Sequence, residues 1–192
     1  MEALKEALVL KSTGKNYQIL NEDGQQIEAV LRGNWRTKGL RTTNPIAVGD
    51  QVFYEEDKDG SFVIKEMRER KNHIIRRSIN LSKESHIVAA NIDLALLIVT
   101  ADKPPTSFGF IDRFLVAAES YHIPSIIVIN KIDMKESEER IAELMMVYEQ
   151  VGYPLLLVSA LKEKGLEDLR DLLHGRVTAL ATAGSALSRK KS

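Results

Sequence analysis

Asn130, Lys131 and Asp133 follow directly on the apolar run Ile126-Ile127-Val128-Ile129. Three polar side chains of different kinds therefore gather at the end of one buried strand, and each suits a different part of a guanine base. A carboxylate at Asp133 can accept two parallel hydrogen bonds, from the ring N1–H and from the exocyclic amine. Adenine lacks that pair of donors, and a buried acceptor left unpaired costs about 1–3 kcal/mol. Asn130 can bridge the base to a neighbouring loop, and the aliphatic stem of Lys131 can lie flat over the ring. The placement fits too, since open α/β sheets hold ligands at the carboxyl ends of their strands.

Residues 155 to 160, Leu-Leu-Leu-Val-Ser-Ala, form a second buried-strand pattern ending in the small pair Ser159-Ala160. In GTP-binding proteins a Ser-Ala of this kind follows Asn-Lys-x-Asp by one helix and turns a backbone N–H to the guanine oxygen. Four residues alone are a short match. Strand, motif, helix, strand and Ser-Ala in that order are a far more specific one. A glycine-rich loop ending in Gly-Lys-Ser/Thr, which would cradle phosphates, occurs neither before residue 126 nor after it.

The elements that must position these residues fall into two kinds. Residues 1–72 read as β. Ala7–Leu10, Tyr17–Leu20, Gln26–Leu31, Gln51–Glu55 and Phe62–Ile64 are short apolar or alternating runs. Between them stand Gly-containing turns, among them the hairpin signal Asn21-Glu-Asp-Gly24. A five-stranded barrel of the oligonucleotide-binding type fits this spacing. Residues 73–90 read as a linker. From residue 91 to about 180 the pattern becomes strand–helix alternation. Ile92–Val99 is a buried strand and Phe110–Tyr121 a helix with Phe110, Phe114, Ala117, Ala118 and Tyr121 on one face. Strand 126–129 comes next, then helix Glu136–Val151, strand 155–158 and helix Gly165–Leu173, with a last strand at Gly175–Leu180. Such alternation implies a parallel α/β sheet. Residues 181–192 read as a disordered tail.

Composition excludes some classes. The chain has 192 residues, 44% of them apolar, with 27 basic against 27 acidic side chains, so bulk charge selects no partner. Cysteine is absent, which removes disulfides and thiolate zinc sites and fits a reducing cytosol. No apolar stretch has the length of a membrane span, and the expected location is cytoplasmic. His73 and His86 have no carboxylate or thiol spaced with them as metal partners. The glutamates from Glu136 to Glu143 read as a solvated helix face. Charge is uneven locally. Arg32, Arg36, Lys38 and Arg41 surround Trp35 with no acid among them, a composition suited to stacking a base and meeting phosphates. Arg76-Arg77 could touch RNA or merely decorate the linker.

The order of parts resembles the ribosome small-subunit-dependent GTPase A family, circularly permuted GTPases that act in late maturation of the small ribosomal subunit. Arg41-Thr-Thr-Asn-Pro-Ile-Ala-Val-Gly-Asp50, Arg76-Arg77-Ser78, Ala90-Asn91-Ile92-Asp93 and Phe110-Ile-Asp-Arg-Phe114 carry the likeness beside Asn-Lys-x-Asp and Ser-Ala. The resemblance implies an oligonucleotide-binding-type β barrel followed by α/β, a partial P-loop-NTPase-like parallel sheet in permuted order. It implies a guanine site at Asn130, Lys131, Asp133, Ser159 and Ala160, and an RNA surface at Arg32, Trp35, Arg36, Lys38, Arg41, Arg76 and Arg77. GTP or GDP is the expected ligand, bound weakly. The small ribosomal subunit and its rRNA are the expected partners, and the expected state is a monomer. The family's magnesium and zinc ligands are expected to be absent, as are the phosphate loop, switches and zinc domain that would follow Gly175–Ala181. On that reading the chain is truncated or frameshifted, has no catalytic residue of its own and is inactive alone. The rival expectation is an rRNA-binding module that needs no nucleotide.

Overall fold

The structure is a computed structural model and describes residues 4–14, 16–31, 45–77 and 85–182 of the chain. The chain divides into two compact units, Met1–Ile92 and Asp93–Ser192.

The first unit is built on a closed barrel. Its strands are β1 (Lys5–Thr13), β2 (Asn16–Asn21), β3 (Gln26–Leu31), β4 (Gln51–Glu56) and β5 (Phe62–Met67), paired in the order β1-β2-β3-β5-β4 with β4 returning to β1. Only β3–β5 is parallel; the other pairs are antiparallel. Alternation along each strand sends Val9, Tyr17, Ile19, Ala29, Val52, Tyr54 and Ile64 into one core. The β2–β3 turn forms where Asn-Glu-Asp-Gly stands. Gly24 takes φ 76°, and the Asn21 side-chain oxygen accepts the Gln25 N–H at 2.7 Å.

One end of the barrel is pinned by a buried ion pair that sequence reading did not find. Arg70 grips the fully buried Asp50 in two places, Nε to Oδ1 at 2.7 Å and Nη2 to Oδ2 at 2.6 Å. Asp50 Oδ2 also accepts the Ala47 N–H at 2.8 Å, and Arg70 Nη2 donates to the Pro45 carbonyl at 2.9 Å.

Residues 73–90 hold a hairpin, β6 (His73–Arg77) and β7 (Ser85–Ala90), joined to the barrel by a bridge between Val48 and Ala89. Gly49, at φ +89°, lies so close to the Ala90 carbonyl that a Cβ would overlap it. Two asparagines staple the end of this unit. Asn72 exchanges hydrogen bonds with the Ile92 backbone at 2.7 and 2.9 Å, while Asn91 accepts from Lys71 and donates to Gly49, both at 2.9 Å. Part of the Ala90–Asp93 motif is thus structural.

The second unit is an α/β sheet. Its elements are β8 (Leu94–Thr100), α1 (Phe108–Ser120), β9 (Ser125–Asn130), a 3-10 turn at Lys135–Ser137, α2 (Glu138–Gln150), β10 (Leu155–Leu157), α3 (Leu166–Leu173) and β11 (Thr178–Thr182). The strands run in the order β10-β9-β8-β11, every pair parallel. Leu97, Val99, Ile127 and Ile129 pack with Ile111 and Leu115 of α1 and Ile141, Leu144 and Tyr148 of α2. Leu94, Leu96, Ile126 and Val128, with Val158, pack with the leucines of α3. Successive residues of β8 and β9 divide between the two clusters, so these strands are apolar throughout.

The expected inward stripe of α1 shifts in register. The buried face of α1 is Ile111, Leu115 and Ala118, so of the expected stripe only Ala118 is fully buried. Phe110, Phe114 and Tyr121 are half-buried and Ala117 is exposed. The α3 leucines face the sheet, yet none is fully buried. Among the described residues no helix is long and apolar enough to cross a membrane.

Candidate functional site

Asn130 is the last residue of β9, and its Thr100 partner on β8 is the last residue of that strand. Both lie at the carboxyl edge of the sheet. Lys131 then takes a left-handed backbone (φ 66°), which turns the chain off the sheet. The Met134 N–H donates to the Lys131 carbonyl at 3.2 Å and closes the turn around Asp133. Just past the neighbouring strand β10, the Val158 N–H donates to the Ile129 carbonyl at 2.8 Å, and the Ile132 N–H returns a bond to the Val158 carbonyl at 3.3 Å. These backbone bonds bring Ser159 beside Asp133.

Sequence reading expected five side-by-side residues here, and the structure brings them together. The Ser159 hydroxyl donates to Asp133 Oδ1 at 2.5 Å, and the same oxygen of Ser159 accepts the Lys162 N–H at 3.1 Å. Asn130 Oδ1 accepts its neighbour Lys131 N–H at 2.8 Å and the Ala160 N–H at 3.1 Å, so it bridges to the Ser-Ala loop. Ser159 is buried, whereas Asn130, Lys131 and Asp133 are partly open to solvent. The Ser159 hydroxyl holds the Asp133 carboxyl below its ordinary range, with the nearby Lys162 and Lys131 charges adding to the effect. The carboxylate is therefore kept ionised, the form that accepts from paired donors.

Two details differ from the expected geometry. The Ala160 N–H, a candidate donor to a base oxygen, is here turned to Asn130. The Lys131 ammonium donates to the Lys103 carbonyl at 2.6 Å, a contact with no signal in the motif itself.

The loop from Ser159 to Gly165 is held by paired backbone bonds between Ser159 and Lys164, at 2.9 and 3.1 Å. Gly165 closes it at φ +72°, so near the Leu157 carbonyl that a Cβ would overlap. A glycine is required there by both conformation and space.

A family model described as RsgA GTPase matches residues 67–185, and a second, the RsgA N-terminal domain, matches residues 6–64. The chain belongs to the RsgA GTPase family. Among similar proteins, the small ribosomal subunit biogenesis GTPase RsgA of Bacteroides fragilis is 49% identical over 173 residues, covering 89% of this chain and 56% of that protein. Its namesake in Porphyromonas gingivalis is 46% identical over 180 residues, covering 92% and 57%. The crystal structure of YjeQ from Thermotoga maritima superposes with a TM-score of 0.76 at 32% identity, covering 93% of this chain and 60% of that one. That of YloQ, described as a circularly permuted GTPase, gives 0.70 at 27%, covering 96% and 61%. The RsgA-family chain thus spans little more than half the length of the curated relatives it matches.

Arg32, Trp35, Arg36, Lys38 and Arg41 of this RsgA-family chain lie outside the described residues. Arg76 and Arg77 end β6 on the hairpin, and their side chains are likewise outside the description. Among the described residues no group of three or more His, Cys, Asp or Glu side chains is placed to hold a metal.

Proposed function

We propose that Asn130, Lys131, Asp133, Ser159 and Ala160 bind the guanine base of GDP or GTP, as the base-reading part of a small-subunit biogenesis GTPase. The observation that carries this reading is the Ser159–Asp133 hydrogen bond at 2.5 Å. It unites two motifs, 26 residues apart, that follow adjacent parallel strands. The identity of about 49% to an RsgA relative supports the same reading.

Hydrolysis and small-subunit binding belong to the same proposal at the level of the whole protein. These 192 residues contain no Gly-Lys-Ser/Thr, and a loop of that kind supplies much of the electrostatic stabilisation in phosphoryl transfer. We infer that the residues present supply base recognition and RNA contact, so that nucleotide affinity is weak, no metal is held and the chain alone does not turn over GTP. Arg32, Trp35, Arg36, Lys38, Arg41, Arg76 and Arg77 are the proposed rRNA contacts, and the cytoplasm is the proposed location.

Titration of the chain with guanosine and adenosine, followed by NMR at Asp133 and Ser159, tests the reading. Guanosine is expected to shift these residues and adenosine to leave them unmoved. Equal shifts from both nucleosides would remove the basis for a guanine site.

A further inference from the structure

Between β8 and α1 lies a short loop, Thr100 to Thr106, that no family motif quoted above includes. It is unusually well fastened. The Thr106 N–H donates to the Thr100 carbonyl at 2.8 Å, and the Thr100 N–H returns a bond to Thr106 Oγ1 at 3.1 Å. Thr100 Oγ1 then donates to the Pro104 carbonyl at 2.5 Å. Thr106 is buried at 3% exposure, so its hydroxyl serves the loop rather than solvent. Within this frame Asp102 Oδ1 caps the Lys103 N–H at 2.8 Å, and Lys103 sits in the left-handed region at φ 48°. The result is a carbonyl, that of Lys103, presented to the Lys131 ammonium at 2.6 Å. Lys131 is itself left-handed at φ 66°. Two non-glycine residues in that region meeting across one hydrogen bond is a costly arrangement, and such conformations concentrate at ligand clamps.

We propose that the Thr100–Thr106 loop is a positioning element of the guanine site, with Thr106 the residue that holds the Lys103 carbonyl where it fixes the Lys131 ammonium. The proposal rests on the guanine reading above. A lysine stem is flexible, and ordering it on binding costs rotamer entropy. Anchoring its tip beforehand removes part of that cost. The loop acts on how tightly a purine is held. Which purine is held remains the task of Asp133.

That division of labour gives the test. Guanosine and inosine differ by the exocyclic amine, so their affinity ratio reports Asp133, while their common affinity reports Lys131. In the full chain, Thr106→Val keeps shape and removes the acceptor. It is expected to weaken both nucleosides by about three- to tenfold, the equivalent of one modest hydrogen bond, with the ratio unchanged. Thr106→Ser is expected to restore binding. In a Lys131→Met background the same Thr106→Val change is expected to have almost no further effect, because residues acting through one contact are not additive. Should Thr106→Val fail to fold, Thr100→Val, which frees the Pro104 carbonyl alone, takes its place in the cycle. An unchanged affinity in Thr106→Val, or the same loss with and without the Lys131 ammonium, overturns the loop's role and leaves the guanine site standing. A wild-type chain that binds guanosine no better than adenosine sinks the guanine reading, and this proposal with it.

Discussion

The Asp133 carboxylate is held by a hydroxyl that is itself held, through the Lys162 N–H on Ser159 Oγ. This relay fixes the sign of a pH effect. Because the Ser159 bond lowers the folded-state pKa of Asp133, the ionised form persists as pH falls through the usual carboxylate range, near 3.9 in an unperturbed aspartate. Any stability gained from the bond is present above that value and is lost only as pH drops through the lower folded pKa. Guanosine binding should follow the same limb. Ser159→Ala is expected to raise the Asp133 pKa toward the ordinary value and to move the acid limit of guanosine binding upward with it. The Asp133 carboxyl carbon shift, titrated by NMR in both proteins, reads this directly, and identical midpoints would contradict it. Asp133→Ala should remove the preference for guanosine over adenosine altogether. At the buried carboxylate of Asp50, the partner is a cation. Removing Arg70 as Arg70→Leu strands an uncompensated charge in the barrel end, and the expected loss in urea unfolding is about 3–5 kcal/mol. Replacing both residues with apolar ones should cost clearly less, and a double variant no more stable than the single would refute the pairing.

Between residue and domain, placement comes from strand ends and the glycines beside them. Gly165 and Gly152 both have positive φ, but only Gly165 has a carbonyl where its Cβ would go. Gly152→Ala is expected to cost about 1–2 kcal/mol from conformation alone and to leave guanosine binding intact. Gly165→Ala must in addition push the Ser159–Gly165 loop away from β10, so it should lose more stability and guanosine binding together. Melting temperatures and guanosine titrations of the two variants separate these outcomes; equal behaviour would mean that the loop is not seated by Gly165. The same elements show what a sequence can and cannot tell. Period-two alternation and Gly turns made the barrel strands readable, and the apolar runs 126–129 and 155–158 made the candidate site readable because each is followed directly by its residues. Helix α1 was placed, but of its inward face only Ala118 was picked out, and Ile111 and Leu115 were missed. Phe110 and Phe114 are bulky enough to look like core while packing only at its margin, and Ile111 and Leu115 carry the burial. The Lys103–Lys131 and Arg70–Asp50 contacts were not legible at all. They join residues 28 and 20 positions apart through one carbonyl and one side-chain fork, and no local pattern encodes either.

At the scale of the whole chain, the residues proposed for base recognition and those proposed for RNA contact fall in different compact units, so the two properties should fail independently. The segment Arg32-Gly-Asn-Trp-Arg-Thr-Lys-Gly-Leu-Arg41 joins β3 to β4 and concentrates four cations around one tryptophan. The described surface of the barrel offers no comparable cluster in its groove between β1 and β4, which is lined by Glu6, Glu22, Glu55 and Glu56 beside Lys5. The β3–β4 connection is the proposed route to RNA. The full chain is expected to bind small-subunit rRNA with an affinity that falls as salt rises. Arg36→Ala and Lys38→Ala should each flatten the salt slope by roughly one unit, as lost phosphate contacts do. Trp35→Ala should act in another way. If the indole stacks on a base, about 1–3 kcal/mol of binding vanishes with the slope unchanged; if it packs in the barrel, the melting temperature falls instead. None of these changes should alter the guanosine shifts at Asp133 and Ser159, just as Asp133→Ala should leave RNA affinity intact. A wild-type chain with no rRNA affinity at low salt would end the case for the basic segment.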